Sequence, residues 1–335
     1  MKEKNKEITF LCYLNRSGST YLAKLLDEYE EIGVTIESPF PDGIIYKELI
    51  IKNKKQLVKK VLNVYNFKFK EWGISPKELI KIILKKNKYP VKFHEIFFDI
   101  IKLYLDKNKP NSKKYIYKSS WNYLINHKKV FKNYPNSKFI FIIRDGRAIY
   151  NSQKKSLASN NLKPMSENPI KTALLFKKIS KCLKSLRCND WLYVVKYENL
   201  IKNKEKEIDN ILKFLGVKTT TKTKTKDLYY KKIPEKQKHL HNNLNKPPLK
   251  ERIYAWKKEL KKEEIYIFQK VAGASLIDFG YDIIDVNLTF REKIKVIMKY
   301  FLHFFSLRLK DKIVAFKNPK YIYHRIWYKV THILK

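Results

Sequence analysis

The sequence predicts a three-layer α/β domain, a central parallel sheet flanked by helices, followed by a basic helical C-terminal extension. Apolar strand-like runs at 8–14, 139–143 and 191–196 alternate with helix-like stretches, the order that builds a parallel sheet with helical crossovers. Phe139–Ile143 is apolar throughout, as a strand buried on both faces requires. Small-residue turns, RSGST at 16–20 and RDG at 144–146, stand at two of the strand–helix junctions. With 335 residues the chain is long enough to bury a substantial core.

Each element follows in order. After strand 8–14 and turn 15–20 comes a helix at about 20–29, then a second strand near Val34–Glu37 that Pro39, Pro41 and Gly43 end. Residues 44–108 read as a helical, Lys-rich insertion with breaks at Gly73–Pro76 and Tyr89–Pro90. Tyr115-Ile116-Tyr117 is a strand ending at Lys118, and a helix follows from about Trp121 to Asn133. Pro135-Asn136-Ser137 turns the chain into strand Phe139–Ile143, and helix 146–157 begins as that strand ends. A helix at about 168–186 precedes strand 191–196; Tyr197-Glu198-Asn199 is a turn. The amphipathic helix Glu205–Leu215 stops at Gly216, a residue suited to the left-handed cap that ends helices. Thr219–Lys226 is a Thr/Lys loop, and helices at 250–261 and 263–278 close the domain.

Lys and Arg number 73 against 32 Asp and Glu, a formal net charge of +41. A field of this sign favours anionic partners: nucleotides, acidic glycans, anionic lipid or nucleic acid. Cys12, Cys182 and Cys188 are an odd number without metal-ligand spacing, so neither a disulfide framework nor a metal site is expected. The N-terminal MKEKNKEITF has no apolar signal region and no stretch reaches the length of a membrane span. These features predict a cytoplasmic protein, with peripheral contact at the inner face of a membrane left open.

The segment Ile8–Ala23, ITFLCYLNRSGSTYLA, carries the first chemical signal. A strand, a tight turn and a helix in succession aim backbone N–H groups and a helix N-terminus at one spot, where a phosphate fits. Gly18 permits close approach, Ser17, Ser19 and Thr20 add hydroxyls, and Arg16 adds a permanent planar charge. A Walker A loop, GxxxxGK[ST], and a GxGxxG fingerprint are both absent. The second signal is IFIIRDGRAIYNS, 140–152. Arg144 leaves a buried strand at its carboxyl end, where ligands bind in open α/β sheets. Ser152 lies about two helical turns further on, and an Arg with a Ser is a plausible clamp for one phosphate.

Together, RSGST and RDGRAIYNS resemble the sulfotransferases that use 3′-phosphoadenosine 5′-phosphosulfate (PAPS). VKYENL at 195–200, FLGV at 214–217, RIYAWKKEL at 252–260 and FGYD at 279–282 agree in order. The likeness covers about residues 8–282, and Arg16 resembles the carbohydrate, protein-tyrosine and bacterial branches more than the cytosolic one. It implies a P-loop-NTPase-like domain over 1–286, with 287–335 as the extension. It also implies PAPS as donor, no metal, and sulfuryl transfer to a hydroxyl of a glycan, glycolipid or similar acceptor.

By the same resemblance Arg16 neutralises charge on the sulfonate and Ser17, Gly18, Ser19 and Thr20 hold the 5′-phosphate. Arg144 and Ser152 select the 3′-phosphate, Lys118 touches sulfonate or acceptor, and Lys246 reaches the nucleotide from the closing loop. Glu37 is the expected general base, because it ends the second strand beside the first loop; His94 is its rival. Trp256 is expected in the core and Tyr197-Glu198 to be structural. A P-loop kinase or another nucleotide-dependent transferase, and a non-catalytic basic membrane-binding scaffold, are the alternatives.

The extension carries twelve Lys and Arg against Glu292 and Asp311, interleaved with aromatic and aliphatic residues. Ile294, Ile297, Phe301 and Phe304–Phe305 recur at helical spacing beside Lys295, Lys299 and Arg308. That pattern suits an anionic membrane surface, a helix packed on the catalytic domain, or, third, nucleic acid.

Overall fold

A computed structural model of the chain describes residues 7–37, 50–53, 55, 69–85, 90–157, 163–218, 221–222, 228–238 and 250–317. Its centre is a five-stranded sheet in the order β2-β5-β1-β6-β7. The strands are β1 (Ile8–Tyr13), β2 (Ile32–Val34), β5 (Lys114–Ser120), β6 (Lys138–Ile143) and β7 (Leu192–Lys196). Every pairing is parallel, with Tyr13 opposite both Ser120 and Ile142. β1 and β6 are neighbours whose connections leave in opposite directions, to β2 and to β7. The crevice beyond their carboxyl ends is where ligands bind in such sheets.

All six residues of β1 are buried, as its largely apolar run predicts. Phe10 stacks on Phe139 at 5.2 Å and on Tyr123 at 5.6 Å, and meets Tyr117 edge-on at 6.0 Å. Truncating a side chain so placed costs about 3–5 kcal/mol. Cys12 is buried in the same strand, with its Sγ 3.4 Å from Ser119 Oγ. The flanking helices include α1 (Ser19–Asp27), α3 (Phe93–Asn108), α6 (Gly146–Lys155), α7 (Pro169–Leu186) and α13 (Lys262–Asp278).

The structure departs from the expected elements where polar residues obscure the pattern. β2 ends at Val34, so Glu37 stands three residues beyond the strand; Thr35 N still donates to Ile116 O at 2.9 Å. β5 continues through Lys118 to Ser120, because small serines fit a buried strand. Lys118 is therefore inside the sheet, 2% exposed. The expected 121–133 helix is two, α4 (Trp121–Ile125) and α5 (His127–Asn133), meeting at Asn126. Tyr197-Glu198-Asn199 opens a short helix, α8 (Tyr197–Lys202), where a turn was expected. α9 (Lys204–Leu215) ends as predicted on Gly216, φ 68°.

Within the 44–108 insertion, the described helices are α2 (Pro76–Leu84) and α3. A small antiparallel pair, β3 (Ile50–Ile51) with β4 (Val91–Lys92), interrupts the expected helical run. Later come α10 (Leu228–Lys232), α11 (Glu235–Lys238), α12 (Trp256–Glu259) and a long α14 (Phe290–Lys317). Among the described residues, no helix is long and apolar enough to cross a membrane.

Candidate active site

The turn after β1 is tightly closed and leads directly into α1. Ser17 N donates to Leu14 O at 3.0 Å, closing it, and Leu22 N donates to Gly18 O at 3.1 Å, beginning α1. The N–H groups of Ser19, Thr20 and Tyr21 precede the first intrahelical bond and have no carbonyl four residues back within the helix. Arg16 and Gly18 adopt left-handed backbone, φ 73° and 95°, a curl that turns successive N–H groups toward one side. At Gly18 the conformation and the space both demand glycine: a Cβ would lie 2.4 Å from the Tyr197 ring.

The second loop reaches the first. Arg16 Nε donates to Ser152 Oγ at 3.1 Å. Arg144 Nη1 donates to Arg16 O at 3.2 Å and Nη2 to Arg252 O at 3.0 Å, while its guanidinium lies 4.3 Å from the Tyr197 ring centre. Burial, and then the charge of Arg144, push the Arg16 guanidinium below its ordinary pKa, with Glu37 pulling it back. Arginine stays protonated through such shifts. Two cations are thus held close together in a half-buried crevice, an arrangement that an anion relieves. Ser17 Oγ and Arg144 Nε are buried without a hydrogen-bond partner among the described residues. Leaving such atoms unpaired costs about 1–3 kcal/mol each, and a ligand rich in anionic oxygens matches them.

The third wall comes from β5 and the chain after β2. Lys118 Nζ donates to Thr20 Oγ1 at 2.9 Å and stands 3.7 Å from Glu37 Oε1 and 5.3 Å from the Tyr13 ring centre. Burial lowers the Lys118 pKa, and Glu37 opposes that shift. Glu37 is held at its backbone by Trp72 Nε1, which donates to its carbonyl at 2.9 Å. The Tyr13 hydroxyl donates to its carboxylate at 3.4 Å, and the side chain remains 39% exposed.

Behind the crevice a buried network fixes helix α6. Asp145 caps it, accepting from Arg147 N at 2.8 Å, and pairs with the Arg147 guanidinium at 2.8 Å. Arg147 also donates to Gln269 Oε1 and lies 3.9 Å from the Trp256 ring. Glu198 accepts from Asp145 N at 3.0 Å and from the Tyr281 hydroxyl at 3.1 Å, and burial raises its pKa. Gly146 is needed here for another reason: a Cβ would fall 2.7 Å from Phe268 and 2.9 Å from Phe176.

The sequence profile of the sulfotransferase family matches residues 9–221, which include both loops. The chain belongs to the sulfotransferase family. It is an enzyme of that family, whose members' donor is PAPS. No curated protein sequence matches the chain significantly. Among solved structures, a sulfotransferase domain from the curacin biosynthetic pathway aligns with TM-score 0.52 and 15% identity, covering 83% of this chain and 99% of that one. The sulfotransferase domain of the Synechococcus PCC 7002 olefin synthase aligns with TM-score 0.52 and 16% identity, covering 85% and 98%. At this identity the likeness speaks for the fold.

In this sulfotransferase Arg144 and Ser152 contact Arg16, and Lys118 joins Thr20 to Glu37, so the expected residues other than Lys246 gather around the loop after β1. Ser152 is bonded to Arg16, whereas the sequence suggested a joint clamp with Arg144. Lys246 lies outside the described residues. His94 opens α3 and meets Tyr134 edge-on at 5.9 Å. Trp256 is 1% exposed, in the core as expected. Sequence reasoning did not single out Tyr13, Trp72 or Gln153, whose Nε2 donates to Asn15 O at 3.0 Å. Only the adjacency of Gln153 to Ser152 hinted at a role. Among the described residues no group of His, Cys, Asp and Glu is arranged to hold a metal.

Proposed function

We propose that this sulfotransferase moves the sulfuryl group of PAPS to a hydroxyl of a glycan, glycolipid or similar acceptor, with Glu37 as general base. The observation that carries the reading is that Lys118, bonded to Thr20 of the loop, stands 3.7 Å from Glu37, whose charge also acts on Arg16. A carboxylate for the acceptor proton thereby stands beside a lysine and within the field of the loop arginine. PAPS supplies an activated sulfuryl group and a good leaving group.

The residues divide the work. Arg144, whose Nε has no hydrogen-bond partner among the described residues, and Ser152 suit the 3′-phosphate; Ser17, the N–H groups from Gly18 to Thr20, and the hydroxyls of Ser19 and Thr20 suit the 5′-phosphate. Arg16 and Lys118 offset charge gathering on the sulfonate and the bridging oxygen. The acceptor oxygen forms the new S–O bond, the bond from sulfur to the bridging oxygen breaks, and Glu37 takes the acceptor's proton. The partial exposure of Glu37 suits contact with an acceptor arriving from solvent. The formal net charge of +41 favours an acidic acceptor. Incubation with sulfur-labelled PAPS and a panel of glycans and glycolipids tests the proposal. Label in an acceptor hydroxyl is expected; a donor-saturated enzyme that labels none of them contradicts the acceptor class.

A further inference from the structure

Helix α14 carries two apolar faces. Val296, Tyr300 and Phe304 are buried and form a cluster with Ile170 of α7 and Ile267 of α13. Asn168 Nδ2 donates to Tyr300 O at 3.0 Å, fixing the helix further. The second face is open. Phe290, Ile294, Met298, Phe301, Leu302, Phe305 and Leu309 are all exposed, with Leu302 at 65% and Phe305 at 60%. At 100° per residue these seven fall within an arc of about 120°, centred roughly 140° from the docked face. Scattered exposed apolar residues are ordinary; a continuous stripe over five turns marks an interaction surface.

Its edge identifies the occupant. Arg291, Lys295 and Lys299, spaced four apart and all exposed, run along one side of the stripe. Apolar residues flanked by a row of cations suit a helix lying in the headgroup region of an anionic bilayer. A second copy of the chain fits poorly, because each copy carries a formal charge of +41 and the approaching faces are bordered by like charge.

We infer that α14 docks the enzyme on an anionic lipid surface through the Phe290–Leu309 stripe, with its opposite face holding the catalytic domain. The contact is peripheral and stands independently of the roles proposed for Glu37 and Arg144.

Co-sedimentation of the full chain with phosphatidylcholine vesicles, with and without phosphatidylglycerol, tests it. Binding is expected only with phosphatidylglycerol. The double variant Leu302→Ser/Phe305→Ser, which keeps every charge and leaves the docked face alone, is expected to weaken binding by about ten-fold or more. Lys295→Gln/Lys299→Gln is expected to weaken it more than Lys128→Gln/Lys129→Gln, which removes the same charge from α5. All three should keep the wild-type melting temperature. Failure of the wild type to bind, or equal binding by the serine variant, overturns the inference, the latter assigning attraction to diffuse charge. A dimer in sedimentation velocity that the serine substitutions abolish overturns it in favour of a second copy.

Discussion

Arg16 Nε donates to Ser152 Oγ across 136 positions of sequence, at 3.1 Å. This bond joins the loop after β1 to the helix after β6 and brings the two motifs into contact. Ser152→Ala removes an acceptor from a charged donor, a loss of about 1.5–3 kcal/mol where the bond is buried. Ser152 is only half-buried, so the low end applies: donor affinity should fall about ten-fold. Titration of 3′,5′-adenosine bisphosphate into the variant checks this, and unchanged affinity would separate Ser152 from the donor site.

Gly18→Ala should be among the most damaging single-methyl additions in the chain. Left-handed backbone costs an L-residue about 1–2 kcal/mol, and the new Cβ meets the Tyr197 ring at 2.4 Å. Thermal unfolding should show a marked loss of stability. Adding Tyr197→Ala should relieve the collision but not the backbone strain, so the two substitutions should be non-additive. Strict additivity would mean that the ring does not set the loop.

Lys118 has its pKa lowered by burial. The folded protein then releases this proton at lower pH than the unfolded chain, whose Lys titrates near 10.5. Between those two values the unfolded state binds more protons, so this residue's contribution makes stability rise with pH. Lys118→Met should remove that rise, seen as a wild-type-minus-variant difference in melting temperature that climbs in the alkaline range. A flat difference contradicts the burial of a charged Lys118. The same variant should lose turnover, since Thr20 and Glu37 lose a shared partner.

Glu37→Gln should bind 3′,5′-adenosine bisphosphate within about two-fold of wild type while turnover falls about 100-fold or more, the range of a general base. Turnover close to wild type removes Glu37 from that role and returns attention to His94.

Much of the fold was legible because buried parallel strands are mostly apolar: Phe139–Ile143 and the run from Ile8 read plainly. Lys118 did not, since a lysine amid Ser119 and Ser120 looks like a strand end. Only tertiary partners, Thr20 and Glu37, explain its burial. The two loops proposed to hold anions were readable from hydroxyls, glycine and arginine at strand ends. Tyr197 against Gly18, and the Arg252 carbonyl under Arg144, were not, because no local pattern encodes contacts between residues so distant in the chain. The docked half of α14 was hidden likewise: its apolar residues cover two faces, and only the positions of Ile170 and Ile267 tell them apart.

The most direct measurement compares 3′,5′-adenosine bisphosphate with 5′-AMP by calorimetric titration, for wild type and Arg144→Ala, at salt high enough to suppress diffuse anion binding. Wild type should prefer the bisphosphate by about ten-fold or more, and Arg144→Ala should abolish most of that preference while changing AMP affinity little. Equal loss for both ligands, or no preference in the wild type, would contradict a donor site assembled from the two loops.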